Sequence, residues 1–194
     1  MKTHISQRKV LGSILHASVF TLIFMLLVAT VAFAKAGDTK PFKATGHTTV
    51  AETITPSQVP EGFLTDKIAE KGYPPDLAFY REQEEINNVG GKSTVVAYEL
   101  IYFTPTGGIE WYMARTVTTA NGDELYEDLW GTASFIDPDT LRLEGEWVVT
   151  GGSGRFEGAS GSGDVSGFAT LHDLGSTYTL IGRISTVGSL KKGK

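Results

Sequence analysis

The chain contains no cysteine, and that single absence removes disulfides, a thiol nucleophile, thiolate metal ligands and the lipid-bearing cysteine of a lipoprotein. Histidine is almost as scarce. Beyond residue 34 only His47 and His172 remain, too few and too far apart in sequence for the three or four converging ligands of a zinc site, so no metal and no cofactor is expected. Basic residues are outnumbered, 17 against 22 acidic ones, and an acidic surface repels both a phosphate backbone and an anionic membrane. Strand and helix patterns do not alternate, which excludes a parallel sheet and its nucleotide-binding crevices. Ser153 and Ser160 lie among glycines but in no Gly-x-Ser-x-Gly elbow, and Gly151-Gly152-Ser153-Gly154 leads into no helix that could cradle phosphate.

What the chain does have begins with an address. Met1 to Lys9 carries Lys2, Arg8 and Lys9 and no acid, Val10 to Phe33 is almost wholly apolar, and Ala32-Phe33-Ala34 is a small-x-small cleavage pattern. Residues 1–34 therefore read as a secretory signal peptide, with cleavage after Ala34 and a secreted or periplasmic product. The alternative is an uncleaved anchor, since about 20 apolar residues span a bilayer. Without Lys2, Arg8 and Lys9 the 17 basic residues fall to 14 against 22 acids, a net charge of −8.

Residues 35–43 read as a polar linker and 44–190 as one domain. Ala44 to Thr55, rich in threonine, suits a first strand. Residues 57–93 are the least strand-like part and read as an irregular or helical insertion that could form a lid, with Leu64 to Lys71 as a helical turn and Asp76 able to cap a second helix; the other reading of Asp76 to Asn87 is a strand ending in a charged edge. From Thr94 onward the strand grammar is plain. Strands run over Thr94 to Thr104, Ile109 to Thr119, Glu124 to Ile136, Leu141 to Thr150, Gly163 to Leu171 and Ser176 to Val187, separated by turns such as Asn121-Gly122. About seven or eight antiparallel strands with short connections predict an all-β fold, a sandwich or an up-and-down barrel; closure into a barrel of about eight strands would remove exposed edges and leave an interior that holds side chains or one small ligand.

Parity along the strands nominates a pocket. Glu99 alternates in step with Val95, Ile101 and Phe103, and Arg115 with Trp111, Met113 and Val117. If those faces point inward, Glu99 and Arg115 sit in an apolar interior and could orient a ligand's polar group. If instead Tyr98, Leu100 and Tyr102 point inward, the two charges are surface residues. Tyr102, Trp111 and Trp130 are the aromatic candidates for lining the pocket. The last strand reads with Tyr178, Leu180 and Ile184 inward and Arg183 on the surface. Glu124, Glu127 and Asp128 form an acidic cluster that reads as a solvated face rather than a calcium site.

Six glycines fall between Trp147 and Gly163, so the backbone rather than side-chain chemistry carries the message there. Within that stretch Thr150-Gly151-Gly152-Ser153-Gly154-Arg155-Phe156-Glu157-Gly158-Ala159 resembles the Gly-Gly-x-Gly-x-Phe-x-Gly corner of allene oxide cyclases and, less closely, that of dirigent proteins. Small secreted bacterial proteins carry a similar corner. The resemblance implies an eight-stranded barrel with an apolar cavity, in which Gly151, Gly152, Gly154, Phe156 and Gly158 are structural. Glu85-Ile86-Asn87 echoes part of the cyclase site, but no Ser-Pro follows it and no cyclase residue is carried over. The expected function is that of an exported, non-catalytic barrel that binds a small hydrophobic ligand or acts structurally. The alternative is a cyclase, isomerase or dirigent-like enzyme acting on such a molecule.

Overall fold

Residues 39–186 are described, from a computed structural model of the chain. The signal-peptide reading of residues 1–34 and the lysine-rich tail lie outside them. Eight strands, β1 (Lys40–Thr53), β2 (Leu77–Asn87), β3 (Gly91–Phe103), β4 (Ile109–Thr119), β5 (Glu124–Phe135), β6 (Thr140–Gly152), β7 (Ser160–Thr170) and β8 (Ser176–Ser185), each pair antiparallel with the next. Lys40 to His47 of β1 pairs with Thr177 to Ile184 of β8, so the sheet closes on itself as a barrel. Among the described residues no helix is long and apolar enough to cross a membrane.

Two boundaries differ from the sequence expectation. The stretch read as a linker, 35–43, contains the start of β1, because Phe42 and Ala44 point into the core while Pro41 and Lys43 face out. The insertion read over 57–93 is confined to the β1–β2 connection. Leu77–Asn87 is not helical but a full barrel strand, eleven residues paired without interruption to β3, and Asp76 caps no helix but accepts a hydrogen bond from the Phe103 amide at 2.7 Å.

The insertion's α-helix, α1 (Phe63–Lys71), begins at Gly62, whose N–H donates to Thr65 Oγ1 at 2.9 Å. It ends at Gly72, left-handed with φ 74°, the usual stop for a helix whose last carbonyls need amide donors. Far from closing a mouth as a lid, α1 lies against the outside of the wall. Its Phe63, Leu64 and Ile68 cover Leu100, Tyr102 and Tyr112, and this makes a second small core outside the barrel. Both faces of β3 and β4 are buried there, which explains why Glu99 and Leu100, adjacent in sequence, are both hidden.

The interior is packed around two tryptophans that glycines make room for. Gly131 and Gly145 face each other across β5 and β6, and Gly163 and Gly182 across β7 and β8. A Cβ on Gly131 would come within 2.8 Å of the Trp111 ring, and one on Gly182 within 2.8 Å of the Trp147 ring. These are places where a ring lies directly on backbone, the close approach only glycine permits. The glycine corner is likewise structural. Gly154 has φ +60°, Gly151 and Gly152 end β6, and the turn through Gly158 folds Phe156 into the same core cluster as Val149, Ala159 and Ile184.

Candidate ligand site at the open mouth

Phe156 and Ala159 fill the end of the barrel where β6 turns into β7, and the opposite end stays open. There an apolar cup of about 130 Å³ is lined by Leu77, Phe79, Ile101, Phe103, Ile109, Ala133, Phe135, Leu141, Leu143, Ala169, Leu171 and Leu174. Its rim leaves large apolar side chains in water: Phe135 is 56% exposed, Phe103 50%, Leu171 43% and Leu77 39%. Scattered exposed apolar residues need no explanation, but four around one concave opening mark a binding surface.

The floor of the cup is charged. Arg81 Nε donates to Glu99 Oε2 at 2.6 Å, and Arg81 Nη1 donates to the carbonyl of Leu174 at 2.6 Å. Arg81 thereby ties the β7–β8 turn to the barrel wall, and Leu174 is held at φ 56°, a conformation that costs a branched residue about 1–2 kcal/mol. The same turn is joined to the β5–β6 turn by His172, whose N–H donates to Asp139 Oδ1 and whose Nδ1 lies 2.5 Å from Asp139 Oδ2. The Asp139 hydrogen bond, then the charges of Asp139 and Asp173, hold the imidazole above its usual range.

Below the floor lies an inner chamber of about 30 Å³, which shares Arg81, Glu99, Leu143 and Ala169 with the cup and adds Gln83, Trp111, Arg115, Ser176 and Tyr178. Deeper still, Arg115 is wedged between two carboxylates. Its Nη2 is 2.9 Å from Glu85 and 2.5 Å from Glu127, and all three side chains are fully buried. Tyr178 donates to Glu85 at 3.1 Å, Asn87 donates to it at 2.9 Å, and the guanidinium lies 5.0 Å from the centre of the Tyr178 ring. Burial alone would pull the Arg115 guanidinium down, but the charges of Glu127 and Glu85 outweigh it and keep the group above its usual range. Burial pushes the Glu127 carboxyl up to about 7, against the pull of Arg115, and Glu85 pushes the same way. Three interior carboxylates thus face two guanidiniums.

That balance has a pH signature. Glu127 titrates near 4.5 when unfolded and near 7 when folded, so between those values the native state binds more protons. Stability is then present in full below pH 4.5 and falls as pH rises towards 7. Half-buried Asp128, pushed by burial from 3.8 to about 6, acts in the same direction. Asp137 and Asp173, held low by backbone and threonine donors, act oppositely, but only in strong acid. The urea midpoint is therefore expected to fall from pH 5 to 7.5, and to fall less in Glu127→Gln; equal profiles for the two proteins would contradict the assignment.

Of the residues nominated from sequence, the structure brings Glu99, Arg115 and Trp111 together inside the barrel, Glu99 at the floor and the other two around the inner chamber. Tyr102 and Trp130 are elsewhere. They point outward beneath α1, where Trp130 meets Phe63 at 6.1 Å and Tyr102 meets Tyr112 at 5.9 Å, so they line neither chamber. The acidic cluster is not a solvated face as a unit: Glu124 is on the outside, bonded to the Tyr126 hydroxyl, while Glu127 is in the interior. Arg183 is exposed and Tyr178, Leu180 and Ile184 point inward, as the parity of β8 predicts.

Sequence reading missed Arg81, Gln83, Glu85 and Asn87 as interior residues. The signal was present, since Phe79, Arg81, Gln83, Glu85 and Asn87 alternate strictly, but polar residues in alternation are ordinarily assigned to the wet face, and here Ile86 is the exposed one. Among the described residues no cluster of three or more histidine, aspartate or glutamate side chains could hold a metal. A wider groove of about 410 Å³ crosses the outer wall over Thr45, Arg142, Ser166, Phe168 and Thr179. It is open to solvent, so the enclosed cup is the better candidate.

No family model matches this chain, and no curated protein matches its sequence. Among solved structures the chain is similar to that of a pterocarpan synthase dirigent protein, at 11% identity over 77% of this chain and 86% of that one, with a TM-score of 0.42.

Proposed function

We propose that this chain is an exported, non-catalytic barrel that binds a small apolar molecule through its open mouth. The observation that carries the reading is the cup itself, apolar on its walls, ringed by exposed phenylalanine and leucine, and closed below by the Arg81–Glu99 pair. Its size sets the ligand. A dry apolar cavity of about 150 Å³ takes up one benzene, so about 130 Å³ admits a single ring or a branched chain end, and the rest of a larger molecule would lie across the rim. Export is supported by the basic start, apolar run and Ala32-Phe33-Ala34 pattern of the first 34 residues. The glycine corner supports placing the chain with the secreted bacterial barrels of allene oxide cyclase and dirigent type.

Binding is favoured over turnover by where the carboxyls stand. Glu127, the carboxyl held near neutrality, lines neither chamber, and Glu99, which does, is occupied by Arg81. Cyclohexane titrated into the protein and followed by tryptophan fluorescence is expected to saturate at one site, while Ala133→Trp, which fills the cup from its wall, is expected to abolish that signal with the melting temperature preserved. Equal binding by both proteins would place the site elsewhere.

A further inference from the structure

Two cross-strand rows of side chains face outward across β2, β1, β8, β7 and β6. In one, Ile86, Thr45, Thr179, Ser166 and Glu144 stand side by side; in the next, Glu84, His47, Thr177, Phe168 and Arg142 do so. Small hydroxylated residues hold the middle and longer side chains the ends. The row that bounds them along the strands, Lys43, Ile181, Asp164 and Glu146, is long again. The surface between is a trough. The groove of about 410 Å³ over Arg142, Ser166 and Phe168 and a hollow of about 460 Å³ over His47, Glu84 and Ile86 meet at Thr45, Gly46 and Thr177. Five strands spaced by about 4.8 Å make the trough about 19 Å long.

The chemistry of the trough selects its occupant. Because the barrel is closed, every strand beneath it is paired on both sides and offers no free edge to a peptide backbone. Arg142 balances Glu144, and Lys92 lies 3.4 Å from Glu84, so no net charge draws a phosphate backbone or another anion. The exposed apolar residues, Phe168 and Ile86, stand on β7 and β2 with two strands between them, too scattered to seat a lipid or a second copy. What the trough offers is hydroxyls, each both donor and acceptor, beside one ring, one guanidinium and one carboxylate. Among the described residues Thr45, Arg142, Glu144, Ser166, Thr177 and Thr179 spend their side chains on no hydrogen bond or ion pair. We propose that the trough binds a neutral glycan chain, whose sugar hydroxyls pair with the threonine and serine floor and with Arg142 and Glu144. A sugar ring lays its C–H face on Phe168, which is 45% exposed. The cup, at the mouth of the barrel, plays no part in this binding.

Affinity electrophoresis through gels containing soluble xyloglucan, galactomannan or dextran, with polygalacturonate as the anionic control, tests this. At least one neutral polysaccharide is expected to retard the native protein. Phe168→Ala, which removes the ring, is expected to weaken that binding about fivefold, the worth of one aromatic contact. Thr177→Arg, which fills the floor where the two hollows meet, is expected to abolish it. Glu157→Arg adds the same side chain on the glycine corner, outside the trough, and is expected to bind as the native protein does. Should Thr177→Arg fail to fold, Phe168→Ala decides, since its position is exposed: undiminished binding there overturns the assignment. No retardation by any of the three neutral polysaccharides overturns it, as does retardation that survives both trough variants. Retardation by polygalacturonate alone would mean an anion site instead. Self-association of the native protein that Thr177→Arg abolishes would make the face a contact between copies and overturn the glycan reading.

Discussion

Replacing Arg115 with methionine is expected to destabilise the protein by about 3–5 kcal/mol, which would unfold much of it at 37 °C. The guanidinium is the counter-charge shared by Glu85 and Glu127, and all three side chains are shut away from water. Methionine fills the space but leaves two carboxyls unpaired, and they can respond only by taking up protons or by opening the barrel. The loss should therefore shrink in acid, and it should shrink again when Glu85→Gln and Glu127→Gln are added to remove the uncompensated charges. Urea denaturation of the single and triple variants at pH 5 and pH 7.5 measures all of this. A single variant within about 1 kcal/mol of the native protein at both pH values would mean that the network is not buried as described.

The second large effect concerns glycine. Gly182→Val is expected to cost about 3 kcal/mol or more, at the upper end of what overpacking does to a core. A Cβ at that position would stand 2.2 Å from the Ser162 carbonyl oxygen, 2.8 Å from the Gly163 Cα and 2.8 Å from the Trp147 ring. Neither backbone atom can swing aside, and Trp147 is itself pinned, fully buried and 5.0 Å from Phe42. Gly151→Ala makes the contrasting control. Its added methyl would meet only the Tyr126 ring, at 3.6 Å, an ordinary contact, so the melting temperature should move little. Similar melting temperatures for both variants would show that the tryptophan does not lie on the glycine pair.

The comparison of these two glycines also shows what could be read from sequence and what could not. A glycine-dense stretch was visible, but composition does not say which glycine is under a ring and which merely ends a strand. Strands β3 to β8 were legible because turn signals such as Asn121-Gly122 separate them and β6 alternates cleanly between apolar and polar residues. Parity put Arg115 and Trp111 on one face of their strand without deciding that this face points inward. Strand β2 was illegible for the opposite reason: its interior row is Arg81, Gln83, Glu85 and Asn87, so the usual rule of polar out and apolar in gives the inverted answer. That rule fails where an interior holds a paired ionic network, and the network cannot be seen until β2 stands beside β4 and β5. Tyr102 and Trp130 misled because α1 buries the outside of the wall, which gives β3, β4 and β5 two apolar faces where a sheet between core and water has one. Burial of both faces erases the parity signal on which a one-sided reading depends.

The proposed export and the apolar cup combine into one proposal, that this barrel is an exported protein that holds a small molecule. The most direct measurement is native mass spectrometry of the protein recovered from the exported fraction of its own host, beside the Ala133→Trp variant prepared in the same way, with solvent extraction of whatever each releases. The native protein is expected to carry one small apolar molecule, or to acquire one from a host lipid extract, and the variant to carry none. Two bare polypeptide masses that stay bare after the extract, or the same added mass on both, would contradict the account.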